Sequence, residues 1–273
     1  MRLPYYALGG QDLSQVDLAA VFLGRKVGAP FLISCMTGGP DKAGLINQRL
    51  AKAAQKYRVP MGLGSLRIVL KHPEVLPTFQ IRKWAPDIPL LANLGAVQLN
   101  YGLGWKECQK VVDLVDADAL ALHLNPLQEA LQLGGDTNFK DLLPKIETVV
   151  KKLSVPLIVK EVGHGIDQRT AKQLFEVGVR IVDVAGAGGT SWAWIEAMIA
   201  GDEKKAERFK NFGLNTHDSI QQCLQVKGLT VIGSGGIRTG LDIAKVLHLG
   251  CKMAGIGRPF LLAALVADEA WRS

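Results

Sequence analysis

The chain has 273 residues, a formal net charge of +7, 48% hydrophobic residues and 21% charged residues. This composition is typical of a well-buried globular protein and argues against a disordered chain. The basic residues are dispersed, and aromatic residues make up only 6%, so the basic and aromatic pattern of a nucleic-acid surface is missing. We therefore expect no nucleic-acid partner, whereas an anionic small ligand is compatible with the charge.

Cysteine usage and hydropathy predict a cytoplasmic protein without a membrane span. The N-terminus does not resemble a signal peptide. The longest uncharged stretch, residues 88–105, contains Pro, Asn, Gln and several Gly, which are unsuited to a bilayer core. The cysteines lack the spacing of a metal site; they are Cys35, Cys108, Cys223 and Cys251.

In chain order, residues 1–26 are interpreted as a preamble that ends in a turn at residues 24–26. Short apolar runs then alternate with amphipathic segments, which predicts alternating strands and helices. Helices are expected, for example, over residues 42–57, 170–177 and 241–249. Eight runs are predicted strands: 31–34, 61–64, 90–93, 119–123, 157–160, 181–184, 231–234 and 253–256.

Eight such alternations in one chain of this length predict a single α/β domain, a (β/α)8 TIM barrel, rather than a doubly wound sheet. The longest departure, residues 192–216, is interpreted as an insertion after the sixth strand. Residues 201–205 are expected to form a charged surface turn within it, and a loop there would cover the barrel mouth.

In such a barrel the active site forms at the C-terminal ends of the strands, and the last two ends indicate a phosphate site. Gly235 and Gly236 allow backbone N–H groups to approach an anion, and the predicted helix that follows would direct its positive end there. Arg238 and Arg258 add fixed charge. The alternative is that these glycines serve only tight turns.

The end of the fourth strand changes abruptly from apolar to polar. After Leu122, the residues from His123 to Glu129 offer an imidazole, two amides and a carboxylate, and Pro126 is expected to hold a turn. The alternative is a buried strand followed by an ordinary polar loop. On the fifth strand, Lys160 is expected to point into the mouth rather than pair with Glu161, because adjacent strand residues face opposite sides.

The sequence lacks the catalytic motifs of several enzyme classes. It contains no serine nucleophile elbow, no His-Glu-x-x-His helix and no phosphate-binding loop of nucleotide triphosphatases. His164 lies between two glycines, where backbone geometry is expected to be its main purpose. The glycine-rich run 186–191 is expected to contact a ligand, with a tight turn as the alternative.

Taken together, the rim residues resemble those of the FMN-dependent type 2 isopentenyl-diphosphate isomerases. The resemblance runs from about Leu13 to Phe260, and its His-Leu-Asn-Pro-Leu-Gln-Glu segment is specific to that family among flavin barrels. The segments that carry it are 36–39, 92–98, 123–129, 159–163 and 187–192.

The resemblance implies a homo-oligomeric enzyme of isoprenoid biosynthesis that interconverts isopentenyl and dimethylallyl diphosphate without net redox change. It implies FMN reduced by NADPH and Mg2+ on the substrate diphosphate. The implied FMN contacts are Met36, Thr37, Ser65, Asn93, Lys160 and Thr190, with Gly235, Gly236, Arg238, Gly257 and Arg258 at its phosphate. The implied substrate contacts are Ser65, Arg67, His123, Asn125 and Gln128, with Glu129 as the Mg2+ ligand.

Elementary chemistry divides these roles further. An amide such as Gln128 cannot act as a free base near neutral pH, so it orients or relays a proton that another group moves. Reduced flavin beside Lys160 is the expected acid and base, with Gln128 and His123 assisting. Mg2+ on a diphosphate needs an oxygen ligand such as Glu129.

The family's N-terminal Arg-Lys pair, which reaches the substrate diphosphate, has no evident counterpart here, and Arg2 is not an obvious substitute. The end, residues 261–273, also looks short, so diphosphate affinity and closure of the mouth are expected to suffer. One alternative is therefore a flavin-binding remnant with little turnover. A second, a 2-hydroxy-acid oxidase, would need a base such as His after the sixth strand, and residues 185–192 contain none.

Overall fold

Ten strands form two sheets in the computed structural model, which describes residues 1–270. Eight parallel strands close into a barrel in chain order, and each coincides with a strand predicted above, so the barrel is confirmed. The strands are β1 (Ala20–Phe22), β2 (Arg25–Val27), β3 (Phe31–Ile33), β4 (Met61–Gly62), β5 (Leu90–Gly95), β6 (Ala119–His123), β7 (Leu157–Lys160), β8 (Ile181–Asp183), β9 (Thr230–Ser234) and β10 (Met253–Ile256).

Helices surround the barrel and connect successive strands. Short 3-10 turns occur at Leu13–Gln15, Pro73–Thr78 and Ala96–Asn100. The helices are α1 (Asp41–Tyr57), α2 (Arg67–Lys71), α3 (Trp105–Val115), α4 (Pro126–Leu131), α5 (Leu142–Lys152), α6 (Gln168–Glu176), α7 (Trp192–Ile199), α8 (Glu203–Phe209), α9 (Thr216–Leu224), α10 (Gly240–His248) and α11 (Arg258–Ala270). Within residues 1–270, none combines the length and apolarity needed to cross a bilayer.

The strands alternate between an outer core beneath the helices and the barrel interior. On β5, Leu90 and Leu94 belong to the outer core and Leu91 to the interior, as the two-residue period of a strand requires. The lower interior is apolar and buried; it contains Leu32, Leu91, Ala119, Ile158, Ile232 and Met253. The inward positions nearer the C-terminal ends are polar, so the barrel has a dry floor and a polar mouth.

The β1–β2 hairpin closes the lower end of the barrel. Phe22 and Val27 are buried and pack against the apolar interior layer. The sequence-based turn at residues 24–26 is wrong by one or two residues, since Arg25 pairs with Phe22 and the turn is Leu23–Gly24. Both turn residues have positive φ, as a two-residue hairpin of the primed type requires.

A charge cluster ties the hairpin to the barrel. The Asp118 carboxylate lies 2.6 Å from Arg25 Nη2 and 2.6 Å from Arg82 Nη2, and it accepts the backbone N–H of Leu90 at 2.8 Å. Arg82 also donates to the carbonyl oxygen of Ile88 at 2.8 Å. Every strong donor near Asp118 therefore has a partner, and the cluster links three separate segments of chain.

Two sequence-based interpretations need correction because helices form where turns were expected. Residues 203–205 belong to α8, whose first turn is capped when Asp202 accepts the N–H of Lys205 at 2.9 Å. Pro126 does not merely hold a turn, since it begins α4, where proline's fixed φ and missing N–H are favourable. Gln128 and Glu129 are consequently held on a helix.

Candidate active site

A cavity of about 490 Å³ opens at the C-terminal ends of β3 to β6. Its wall combines cationic, amide and carboxylate side chains. Eight of the sequence-predicted site residues line it: Met36, Thr37, Ser65, Arg67, His123, Asn125, Gln128 and Glu129. Among the described residues, the cavity therefore gathers every predicted substrate contact.

Helix α4 fixes the two most distinctive of these side chains. Asn125, at the residue before the helix, donates from Nδ2 to Gln128 Oε1 at 3.2 Å and to Glu129 Oε1 at 3.0 Å. Glu129 Oε2 accepts the N–H of Asp136 at 2.8 Å. The buried Oδ1 of Asn125 has no hydrogen-bond partner within the described chain, which leaves one acceptor available to a ligand.

A carboxylate that the sequence-based reasoning missed extends this arrangement. Gln128 donates from Nε2 to Oε1 of Glu196 on α7 at 3.0 Å. A sequence signal existed, because Glu196 is the single charged residue in the otherwise apolar run 192–200. The pair joins an amide to a group that can gain and lose a proton.

Beneath the cavity, three neighbouring strands bring polar side chains together. His123 pairs in register with Lys160, and Lys160 with Asp183. His123 Nδ1 lies 2.8 Å from Asn93 Oδ1. Burial, with a smaller contribution from the Lys160 charge, lowers the pKa of His123 to about 3. The ring is therefore neutral near pH 7, with its proton on Nδ1 facing Asn93 and an acceptor at Nε2.

Lys160 is buried, as expected, and does not pair with the Glu161 carboxylate. Its ammonium donates to the backbone oxygen of Glu161 at 2.5 Å. The Glu161 carboxylate instead accepts three backbone N–H groups, from Val162 and Gly163 at 2.6 Å and from His164 at 2.5 Å. This side chain therefore shapes the loop after β7 and does not pair with the Lys160 ammonium.

Asp183 is the second residue that was missed, although an acidic residue inside an apolar strand is a visible signal. It is buried and accepts a hydrogen bond from the hydroxyl of Ser234. Burial raises the pKa of Asp183, while the charge of Lys160 opposes that shift. His164 is also buried, with Nε2 3.3 Å from Oγ of Ser191, the residue that caps α7.

The remaining predicted residues lie at the rim of β8 to β10, outside the cavity wall. Gly235 and Gly236 have φ of +105° and +76°, and a Cβ on Gly236 would clash with the carbonyl oxygen of Gly188. Arg238 Nη2 donates to that same oxygen at 3.2 Å. Gly257 approaches Met36, and Thr190 is exposed beside Gly163. The rim therefore packs two glycine loops against each other.

Helix α10, which was expected to direct its positive end at a phosphate, begins with a capping box. Thr239 accepts the N–H of Asp242, and the Asp242 carboxylate accepts the N–H groups of Arg238 and Thr239. These hydrogen bonds satisfy part of the donors at this helix end within the protein. The contribution of α10 to a phosphate site therefore stays a prediction.

Comparison with known proteins decides the family. The chain is 53% identical to an isopentenyl-diphosphate delta-isomerase of Synechococcus sp., over 98% of this chain and 78% of that protein. It is 51% identical to the same enzyme of Rickettsia bellii, over 98% and 80% of the two chains. A family model described as FMN-dependent dehydrogenase matches residues 119–270.

The chain belongs to the isopentenyl-diphosphate delta-isomerase family. Its relatives favour the isomerase over the alternative of a 2-hydroxy-acid oxidase.

The structure meets the main requirements for the FMN of this family. Within the described residues, the backbone N–H groups of Gly236, Ile237 and Gly257 have no hydrogen-bond partner, so three donors at the rim are open to a phosphate. The buried hydroxyl of Ser34, below the mouth, is likewise without a partner. Neutral donors and acceptors with one buried ammonium suit a polar flavin ring.

Proposed function

We propose that the chain interconverts isopentenyl diphosphate and dimethylallyl diphosphate, with reduced FMN and Mg2+ as cofactors and NADPH as the reductant. The observation that carries the proposal is the first turn of α4. It holds Gln128 and Glu129 side by side in a cavity whose wall also contains Arg67 and His123. An uncharged amide and a carboxylate at adjacent positions suit a substrate with a hydrocarbon end and an anionic end.

The anionic end of the substrate is assigned to Arg67, Ser65 and Glu129. Within the described residues, no three His, Cys, Asp or Glu side chains cluster as metal ligands. Mg2+ characteristically takes one or two protein carboxylates and completes its shell with phosphate oxygens and water. Glu129 fits that donor set, and Arg67 offers a forked donor to the phosphate.

The hydrocarbon end is assigned to Gln128, Glu196 and His123. The Glu196 carboxylate can accept and return a proton, and Gln128, which bonds to it at 3.0 Å, can relay that proton to an allylic carbon. His123 is neutral and assists only as a hydrogen-bonding group, because its pKa of about 3 leaves no spare proton near pH 7. The sequence-based expectation, in which the reduced flavin exchanges the proton with Gln128 and His123 assisting, did not include Glu196.

Reduced FMN, when bound, would supply an electron-rich ring at the mouth. We assign Met36, Thr37, Ser65, Asn93, Lys160 and Thr190 to the ring and its side chain, and Gly235, Gly236, Arg238, Gly257 and Arg258 to the phosphate. Lys160 would then stabilise negative charge through its buried ammonium. Homo-oligomerisation is also proposed, because Leu262, Leu265 and Val266 on α11 are exposed.

The test is anaerobic incubation of the purified chain with FMN, NADPH, Mg2+ and isopentenyl diphosphate, followed by product analysis. We expect dimethylallyl diphosphate to form, and Glu196→Gln to slow its formation at least tenfold while FMN stays bound. FMN binding without any product would instead support a flavin-binding remnant and refute the proposed activity. Lys160→Ala with full activity would refute the assignment of Lys160.

A further inference from the structure

Helix α2 contributes two cationic side chains to the cavity wall, and only one of them, Arg67, has been assigned to the substrate above. Arg67 and Lys71 are four residues apart, which places them on the same face of this short helix. Both side chains line the cavity, whose wall also contains Glu129 and Gln132. Two cationic side chains therefore border the same cavity as the carboxylate of Glu129.

The two cations differ in what already binds them. Arg67 Nη2 lies 2.8 Å from Oδ2 of Asp136, so its charge is balanced before any substrate arrives. The neighbouring His72 ring faces Glu74 at 3.1 Å. No carboxylate of the described chain lies within 4.0 Å of the Lys71 ammonium. Lys71 thus brings to the cavity a positive charge that no carboxylate of the described residues pairs with.

A diphosphate carries more negative charge than one Mg2+ ion on a glutamate neutralises, so its binding calls for a further cation that is not already paired. An ammonium on a flexible stem suits this task, because it can follow a phosphate oxygen as a point charge. We propose that Lys71 binds the diphosphate of the substrate, next to the Mg2+ held by Glu129. This inference rests on the proposed function for the identity of the ligand.

The ordinary alternative is that Lys71 is one more solvated surface lysine. Lys106 provides the matched control, because it is an exposed lysine that lines a separate surface groove on α3. Lys71→Met keeps most of the stem and removes the charge, and Lys71→Arg restores the charge. Lys71→Met, Lys71→Arg and the control Lys106→Met all retain the residues that we assign to FMN and to the reacting carbons.

The experiment measures KM and kcat for isopentenyl diphosphate, and separately the Kd of Mg2+-pyrophosphate for the FMN-loaded chain by calorimetry. A charge-assisted hydrogen bond that is partly exposed is expected to change affinity about tenfold. We expect Lys71→Met to raise both KM and Kd about tenfold with kcat within twofold, and Lys71→Arg to stay within about threefold of wild type. Lys106→Met should match wild type. Added salt should weaken binding more in wild type than in Lys71→Met.

The two proposals fail in different ways. A wild-type chain that binds FMN and pyrophosphate but forms no product refutes the proposed function, while the pyrophosphate Kd of Lys71→Met still decides the role of Lys71. A KM and Kd for Lys71→Met within twofold of wild type would overturn the inference. So would an equal loss in Lys106→Met, or a wild-type chain that does not bind pyrophosphate.

Discussion

Replacing Glu161 by alanine should destabilise the protein more than any surface change, because one buried carboxylate serves three backbone donors. Its Oε2 accepts the N–H groups of Val162, Gly163 and His164 at 2.5 to 2.6 Å. Each buried donor left without a partner costs about 1–3 kcal/mol. Water can enter the space that the side chain vacates and satisfy part of this demand, so we take the lower end, about 3–4 kcal/mol in total.

The assay is chemical denaturation at pH 7 without cofactor, followed by circular dichroism. Glu161→Gln keeps a neutral acceptor oxygen for the three N–H groups, and because hydrogen bonds to a charged acceptor are about twice as strong as neutral ones, about half of the loss should be recovered. Glu147→Ala is the control, since Glu147 is exposed and pairs only with Lys151 on the same helix, a contact worth about 0.3–0.5 kcal/mol. A loss below about 1 kcal/mol for Glu161→Ala would refute the reasoning.

Three further predictions concern other parts of the barrel. His123 has its pKa lowered from 6.5 to about 3, so its stabilising contribution is complete above pH 6.5 and is lost as the pH falls towards 3. Between pH 7 and pH 5, the unfolding free energy of the wild type should fall by about 1–2 kcal/mol more than that of His123→Gln. Denaturation curves at both pH values measure this difference. An equal fall in unfolding free energy for the two proteins would contradict the prediction. Asp118→Asn should lower the unfolding free energy by about 2–4 kcal/mol, whereas Asp116→Asn, whose carboxylate is 89% exposed, should leave it nearly unchanged. An equal loss of unfolding free energy in the two variants would argue against a stabilising role of the charge cluster. Gly236→Ala should lower the FMN content of the purified protein, because the new Cβ clashes with the loop at Gly188. The control Gly240→Ala, whose new Cβ meets no neighbour within 4 Å, should retain full FMN content. An unchanged FMN content in Gly236→Ala would show that this loop is not part of the phosphate site.

The sequence was most informative where hydrophobic periodicity and fold rules act together. The barrel strands are mostly apolar, because both faces of a parallel strand are buried, and polar residues such as Asn93, Lys160 and Asp183 lie towards their C-terminal ends. The hairpin formed by β1 and β2 was not predicted, since its strands are three residues long and only Phe22 and Val27 become buried. So short an apolar pattern does not predict a hairpin by itself, because its two buried residues depend on packing against the lower end of the barrel.

The sequence indicated which residues lie at the strand ends better than it indicated which side chains bond to one another. The strand ends predicted that His123 and Lys160 would lie near each other, because every parallel strand delivers its last residues to the same rim, and the two residues pair in register at the ends of β6 and β7. The contact between Gln128 and Glu196 joins segments 68 residues apart, and no local pattern encodes it. The capping box of α10 was also readable from the sequence, because Thr239 and Asp242 are three residues apart.

The β1–β2 hairpin closes the lower end of the barrel, so the barrel interior opens at the C-terminal ends of the strands. Phe22 and Val27 seal the floor, and the apolar layer above them offers water no polar partner. Ligands of the residues at the C-terminal ends of the strands must therefore enter and leave at that end of the barrel. The cavity there is bordered by residues of α2 and α4, so a change that narrows it should slow substrate entry and product exit together.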